Sequence, residues 1–141
     1  GEMSGHLFFN DGRWPGFDDG VYAGARILEI LSREADPSAA LEALPSAVNT
    51  PELQIRMAEG ENKAFIARLQ KEARFDDALD VITIDGVRVE WNDGFALARS
   101  SNTTPVVVLR LEGDTPEALE RIKKTFAEVL LKVEPSLELP F

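Results

Sequence analysis

The chain has 141 residues, with 25 acidic against 15 basic side chains and a formal net charge of −10. That balance argues against nucleic acid and anionic membrane as partners, and the lack of cysteine excludes disulfides, thiolate metal sites and a cysteine nucleophile. Apolar residues make up 44% of the chain, enough for a real core, and no apolar run approaches the roughly 20 residues that span a bilayer. A cytoplasmic protein is expected. The chain opens on Gly1 rather than Met, as a trimmed segment would, so a missing signal peptide carries little weight.

The first stretch reads Gly1-Glu2-Met3-Ser4-Gly5-His6 and continues into Leu7-Phe8-Phe9. In an extended segment Glu2, Ser4 and His6 share one face, and the flanking glycines let a ligand approach the backbone. A carboxylate, a hydroxyl and the chain's single histidine can hold sugar hydroxyls and handle a proton. The same pattern also fits an edge strand that turns polar residues to water. Asn10-Asp11-Gly12 reads as a turn. Asp18-Asp19-Gly20 precedes a helical pattern with Val21, Ala25, Leu28 and Leu31 on one face, widened by Ile27 and Ile30. The paired acids read as N-caps, with a metal or acid–base pair as the alternative. Asp36-Pro37 begins a second short helix that runs to about Leu44. Pro45 and Pro51 then bracket residues 46–50, and 45–51 is the expected domain boundary. One strand and two helices precede it, too little for a closed core, so residues 1–45 are expected to belong to a larger domain.

Past the boundary, Leu53, Ile55 and Met57 alternate as a strand, and residues 63–74 give a helix with Phe65, Ile66, Leu69 and Ala73 inward. Residues 81–84 and 87–91 read as a hairpin joined by a two-residue Asp85-Gly86 turn. Asn92-Asp93-Gly94 turns the chain into a third apolar run, residues 95–98. Residues 106–111 form a stronger one. Thr115-Pro116-Glu117 is a helix start with a capping hydroxyl, a proline and an acid in the first turn. Leu119, Ile122, Phe126, Val129, Leu130 and Val133 make the buried stripe of that last helix. Short turns between successive strands imply an antiparallel sheet with helices on one face, an α+β domain over residues 46–141.

Between the runs at 95–98 and 106–111 lies Arg99-Ser100-Ser101-Asn102-Thr103-Thr104-Pro105. Four hydroxyls, a carboxamide and a guanidinium fill one strand connection. Arginine offers a planar fork of donors that suits phosphate, and hydroxyls and loop N–H groups can surround the remaining oxygens. From Gly94 to Leu111 there is no acid, the clearing that an anion needs on an acidic protein. A solvated hairpin loop has the same composition. No P-loop, glycine-rich helix opening, His-Glu-x-x-His or calcium-loop spacing occurs, and Asp76, Asp77 and Asp80 read as a solvated turn.

The strings GEMSGH and RSSNTTP resemble the sugar-recognition and phosphate-binding loops of the α-D-phosphohexomutases. The strings GFDDGVYAGARILEIL and DGVRVEWNDGFALARSSNTTPVVVLRLEGDT resemble the bacterial phosphomannomutase/phosphoglucomutase branch, and the resemblance covers essentially the whole chain. It implies a four-domain enzyme that interconverts hexose 1-phosphate and hexose 6-phosphate, with a phosphoserine donor, Mg2+ and a hexose 1,6-bisphosphate intermediate. It implies that Glu2 and Ser4 bind sugar hydroxyls and that His6 transfers a proton. Arg99, Ser101, Asn102 and Thr103 would hold the phosphate that is not being transferred, with Ser100 and Thr104 secondary to them. The phosphoglucosamine mutases tend to have Gly-Thr-Glu-Pro at 102–105 and Gln at Met3, so mannose and glucose phosphates are the expected substrates. The family's serine string and Asp-Gly-Asp-x-Asp-Arg metal loop do not occur here. The resemblance therefore implies the C-terminal third of the enzyme: the end of its third, α/β sugar-binding domain at residues 1–45, a hinge at 45–51, and a fourth domain related in fold to TATA-binding protein. Such a piece is expected to be inactive alone and to hold neither cofactor. Missing domains of the same enzyme would be its partners. A stand-alone, non-catalytic phosphosugar-binding module and phosphoglucosamine mutase are the competing readings.

Overall fold

The structure, a computed structural model, describes Gly1 and residues 5–141, and it falls into two units, Gly1–Pro45 and Ser46–Phe141. In the first, α1 (Gly20–Leu31) starts where the Asp19 carboxylate accepts from the Tyr22 N–H at 2.8 Å. Its neighbour α2 (Pro37–Glu42) starts at Asp36, which accepts from Ser38 and Ala39, with proline at the first position. Asp18 does not cap, contrary to the paired-cap expectation. Its backbone forms an isolated antiparallel bridge with Phe8, and that single bridge is all the extended pairing in residues 7–9. Aromatic packing holds this end together: Trp14 stacks on Tyr22 at 4.3 Å between ring centres, and Phe9 meets Tyr22 edge-on at 5.4 Å. Ala23 is the only buried residue of this unit among the described ones, while Val21, Leu28 and Ile30 of α1 lie exposed. Two helices and one bridge offer no second layer against which that stripe could bury.

The second unit is built on an antiparallel sheet. Its strands are β1 (Val48–Asn49), β2 (Leu53–Arg56), β3 (Asp80–Ile82), β4 (Val87–Trp91), β5 (Gly94–Ser100) and β6 (Val106–Gly113). The order is β1-β6-β5-β4-β3, with β2 also on β6. β1 and β2 share one edge because Pro51, which lacks a donor, interrupts them. Thr50 repairs the gap. Its N–H donates to Leu111 O, and its hydroxyl accepts from the Leu111 N–H at 3.1 Å. Leu53 then pairs with Leu109, so Pro51 and Glu52 together face Arg110 as a bulge.

Alternation sends Ile55, Val87, Val89, Trp91, Ala96, Ala98, Val107, Leu109 and Leu111 to one face of the sheet. There they meet Phe65, Ile66 and Leu69 of α3 (Glu61–Glu72) and Leu119, Ile122, Phe126 and Leu130 of α4 (Pro116–Val133). α4 begins at Thr115, whose hydroxyl accepts from the Ala118 N–H. Phe126, Leu69 and Leu109 are among the fully buried side chains, each contributing about 1.5–3 kcal/mol over exposure. The unit is α+β, an antiparallel sheet with both helices on one face.

One turn departs from expectation. A two-residue Asp85-Gly86 hairpin would pair Ile84 with Val87, but the last β3–β4 pair is Ile82 with Arg88 and Ile84 is exposed. Gly86 serves a different contact. Its φ is +94°, and a Cβ there would stand 2.2 Å from Ala98 O and 2.8 Å from Arg99 Cα. Glycine lets this loop lie against the β5 backbone. Gln70 of α3 holds it there, donating to Thr83 O and Gly86 O.

Candidate functional site

The polar segment at 99–105 divides in two. Arg99 and Ser100 belong to β5, paired with Val108 and Val107, so the turning part is residues 101–105 and not the whole segment. The Ser101 N–H donates to Val106 O at 3.0 Å, which closes the hairpin. Inside it, the Ser101 hydroxyl oxygen accepts from the Thr103 and Thr104 N–H groups, each at 3.3 Å, and from the Thr104 hydroxyl at 3.0 Å. The Thr103 hydroxyl lies 3.4 Å from it. Two further hydroxyls of the segment are thus gathered around that of Ser101, with Asn102, Thr103 and Thr104 exposed. From outside, the Met57 N–H at the end of β2 donates to Pro105 O, and Asn62 of α3 donates to carbonyls on the inner side.

Arg99 projects from the sheet face opposite the helices, by its alternation with the buried Ala98. Its side chain is 38% exposed and its Nη1 lies 3.7 Å from Asp85 Oδ2. The acid-free clearing seen along the chain is therefore not acid-free in space, because the glycine-hinged loop before β4 brings a carboxylate back. Arg88, on the same face, sits over the Phe95 ring at 3.6 Å and donates to Glu90. Arg110 donates to Asn49 Oδ1.

In the first unit Glu2 and Ser4 lie outside the described residues. His6 is described, and its Nδ1 stands 2.5 Å from Asp18 Oδ2, while Asp18 Oδ1 accepts from the Leu7 N–H at 3.2 Å. An ionised carboxylate only accepts, so in this pair the Nδ1 side of the ring is the donor. Asp18 thereby orients the histidine, a role its sequence position before the helix did not suggest. Nearby, Glu29 receives the guanidinium groups of Arg13, Arg26 and Arg33. The Arg13 N–H bonded to Asp11 holds that carboxyl below its ordinary value.

Residues 52–129 match the model for the phosphoglucomutase/phosphomannomutase C-terminal domain, and residues 1–48 match alpha/beta/alpha domain III of the same enzymes. The chain belongs to the phosphoglucomutase/phosphomannomutase family. A phosphoglucomutase of Neisseria gonorrhoeae is 56% identical over 92% of this chain, and a phosphomannomutase/phosphoglucomutase of Pseudomonas aeruginosa is 50% identical over all of it. A crystal structure of a phosphoglucomutase/phosphomannomutase family protein from Burkholderia thailandensis superposes on the whole chain with a TM-score of 0.89 at 59% identity. The chain spans 28–30% of the length of these relatives.

Within the family's domain scheme, the hydroxyl-rich hairpin falls in the C-terminal domain match and the His6–Asp18 pair in the domain III match. Among the described residues no group of three or more His, Asp or Glu is placed to hold a metal ion. Among the described residues no helix is long and apolar enough to cross a membrane. Two positions at the site escape the linear reading, Asn62 and Asp85. Each reaches the hairpin from another element, and neither sits in a local pattern that marks it.

Proposed function

We propose that this chain is the sugar- and phosphate-holding part of a phosphomannomutase/phosphoglucomutase that interconverts hexose 1-phosphate and hexose 6-phosphate in the cytoplasm. In this reading Arg99, Ser101, Asn102 and Thr103 grip the phosphate that is not transferred. Glu2 and Ser4 take sugar hydroxyls, and His6, oriented by Asp18, moves a proton. Residues 1–45 are the end of the sugar-binding domain and 46–141 the phosphate-binding domain, with a hinge at 45–51.

The observation that carries the proposal is the hairpin itself. A guanidinium leads into a turn where the Thr103 and Thr104 hydroxyls lie within 3.4 Å of the Ser101 hydroxyl and residues 102–104 are exposed. A phosphate that does not react is a handle, whose binding energy orients the distant reacting end of the sugar. The phosphoserine donor and Mg2+, which would neutralise charge on the transferred group, belong in this reading to other domains of the enzyme, as does transfer through hexose 1,6-bisphosphate. The chain alone is accordingly inactive as a mutase.

Titration with mannose 6-phosphate, followed by backbone amide shifts, tests the assignment. Shifts should concentrate at residues 100–104, and unphosphorylated mannose should give none. Largest shifts elsewhere, or equal response to mannose, would return the hairpin to a plain polar turn. Conversion of mannose 1-phosphate by this chain, with Mg2+ and hexose 1,6-bisphosphate supplied, would refute the division of labour.

A further inference from the structure

Ser101, Thr104 and Val106 turn their carbonyls toward one point, and that point is a side chain. Asn62, in the first turn of α3 and only 3% exposed, places Nδ2 3.1 Å from Ser101 O, 3.3 Å from Thr104 O and 3.2 Å from Val106 O. A primary amide has two N–H donors, so the three carbonyls share them through one forked bond. Thr104 O and Val106 O also accept backbone N–H groups from within the hairpin. For Ser101 O, the Asn62 amide is the donor among the described residues.

That bond has a consequence on the far side of the peptide. The chain has no cis peptide bond among the described residues, and across a trans peptide the C=O and the following N–H point in opposite directions. Holding the Ser101 carbonyl on α3 therefore aims the Asn102 N–H away from α3, toward the side where residues 102–104 are exposed. We propose that Asn62 is the positioning residue of the anion-binding hairpin: its carboxamide gathers three carbonyls inward, so that the Asn102 N–H is presented to an incoming phosphate. Carbonyl oxygens facing the ligand would repel it, so their removal matters as much as the donors presented. The inference rests on the phosphate-holding role proposed above and adds the residue that sets the hairpin's shape.

A buried asparagine can also serve stability alone, and the test separates the two. Inorganic phosphate and mannose 6-phosphate are titrated into the 141-residue chain, its Asn62→Ala and Asn62→Ser variants, and Val129→Ala as a control that loosens buried α4 packing instead. Amide spectra of β4 and β6 report whether each variant is folded. The expected result is phosphate binding at least about fivefold weaker in Asn62→Ala, intermediate in Asn62→Ser, which keeps one donor, and unchanged in Val129→Ala. The phosphate-induced shift of the Asn102 amide should shrink in the same order. Should Asn62→Ala fail to fold, Asn62→Ser carries the same comparison. Unchanged affinity in a folded Asn62 variant would overturn the inference, and so would an equal loss in Val129→Ala. If the unaltered chain shows no phosphate-dependent shift at the hairpin, the proposed function fails first and takes this inference with it.

Discussion

Asp85 and Arg99 form an ion pair across the start of the β4–β5 hairpin, with Asp85 Oδ2 3.7 Å from Arg99 Nη1. The pair places a carboxylate beside the guanidinium that is proposed to take phosphate. It holds Arg99 near the strand end when no anion is bound, and it competes with an anion that arrives. Asp85 is 73% exposed, so the pair contributes under about 1 kcal/mol. Replacing it with asparagine should tighten mannose 6-phosphate binding about two- to fourfold. At 1 M salt, where screening acts within about 3 Å, the difference should vanish. Titration of Asp85→Asn at low and high salt checks this, and weaker binding in the variant would mean that Asp85 holds Arg99 in a productive pose.

Neighbouring positions show what a linear reading can and cannot reach. Helices α1, α2 and α4 announce themselves because Asp19, Asp36 and Thr115 cap within three residues, and that chemistry is local. The sheet is legible for the same reason, since the alternation of β4 and β5 repeats every two residues. Asn62 lies 39 residues from Ser101 in sequence, and nothing in Glu-Asn-Lys-Ala distinguishes a carbonyl clamp from an ordinary helix start. Thr50 likewise looks like a boundary residue beside Pro51 until Leu111 is placed opposite it. Asp85-Gly86 misleads for a related reason. The dipeptide signals a two-residue turn, but here the glycine answers to the Ala98 carbonyl rather than to the hairpin.

Gly86 supplies the second prediction. A side chain there meets both a positive φ of +94° and a backbone carbonyl at 2.2 Å, neither of which a rotamer change relieves. Gly86→Ala should destabilise residues 46–141 by about 2 kcal/mol or more, read as a fall in the urea midpoint. Because the clash includes Arg99 Cα, the shift should reach Arg99 and Ser100 as well. A variant as stable as the parent would show that the loop before β4 can move off β5 at no cost.

The C-terminal tail should respond to acid. Ser136 Oγ donates to Glu134 Oε1 at 2.6 Å and Arg68 Nη2 to Oε2 at 2.6 Å. The Ser136 hydroxyl first, then Arg68, hold the Glu134 carboxyl below the ordinary carboxylate range. A carboxyl with a lowered folded value stabilises at pH above the unfolded value, and that contribution is lost as pH falls through the folded one. The tail, whose Leu137, Leu139 and Phe141 pack on the core, should therefore loosen below about pH 4. Glu134→Gln should show a smaller loss over the same window, seen in hydrogen exchange at residues 134–138. Parallel pH profiles for the two proteins would remove Glu134 as the cause.

The last prediction concerns which arginine matters. Arg99 and Arg110 both stand on strands and on the same open face, so residence in a loop does not separate them. Distance along the hairpin does. Arg99 pairs with Val108, one step before the closing pair Ser100 with Val107, whereas Arg110 pairs with Leu97, two residues farther down the strand. Arg110 also gives one donor to Asn49 Oδ1 at 3.2 Å, which draws it toward β1. A charge-assisted hydrogen bond contributes roughly 1.5–3 kcal/mol, so Arg99→Ala should weaken mannose 6-phosphate binding about ten- to a hundredfold. Arg110→Ala should change it by less than about twofold, since what it loses is long-range attraction that 0.1 M salt screens within about 10 Å. Titrating both variants at that salt concentration decides the point. Equal losses would mean that the anion sits over the open sheet face and not at the turn, and Ser101, Asn102 and Thr103 would then lose their assignment together.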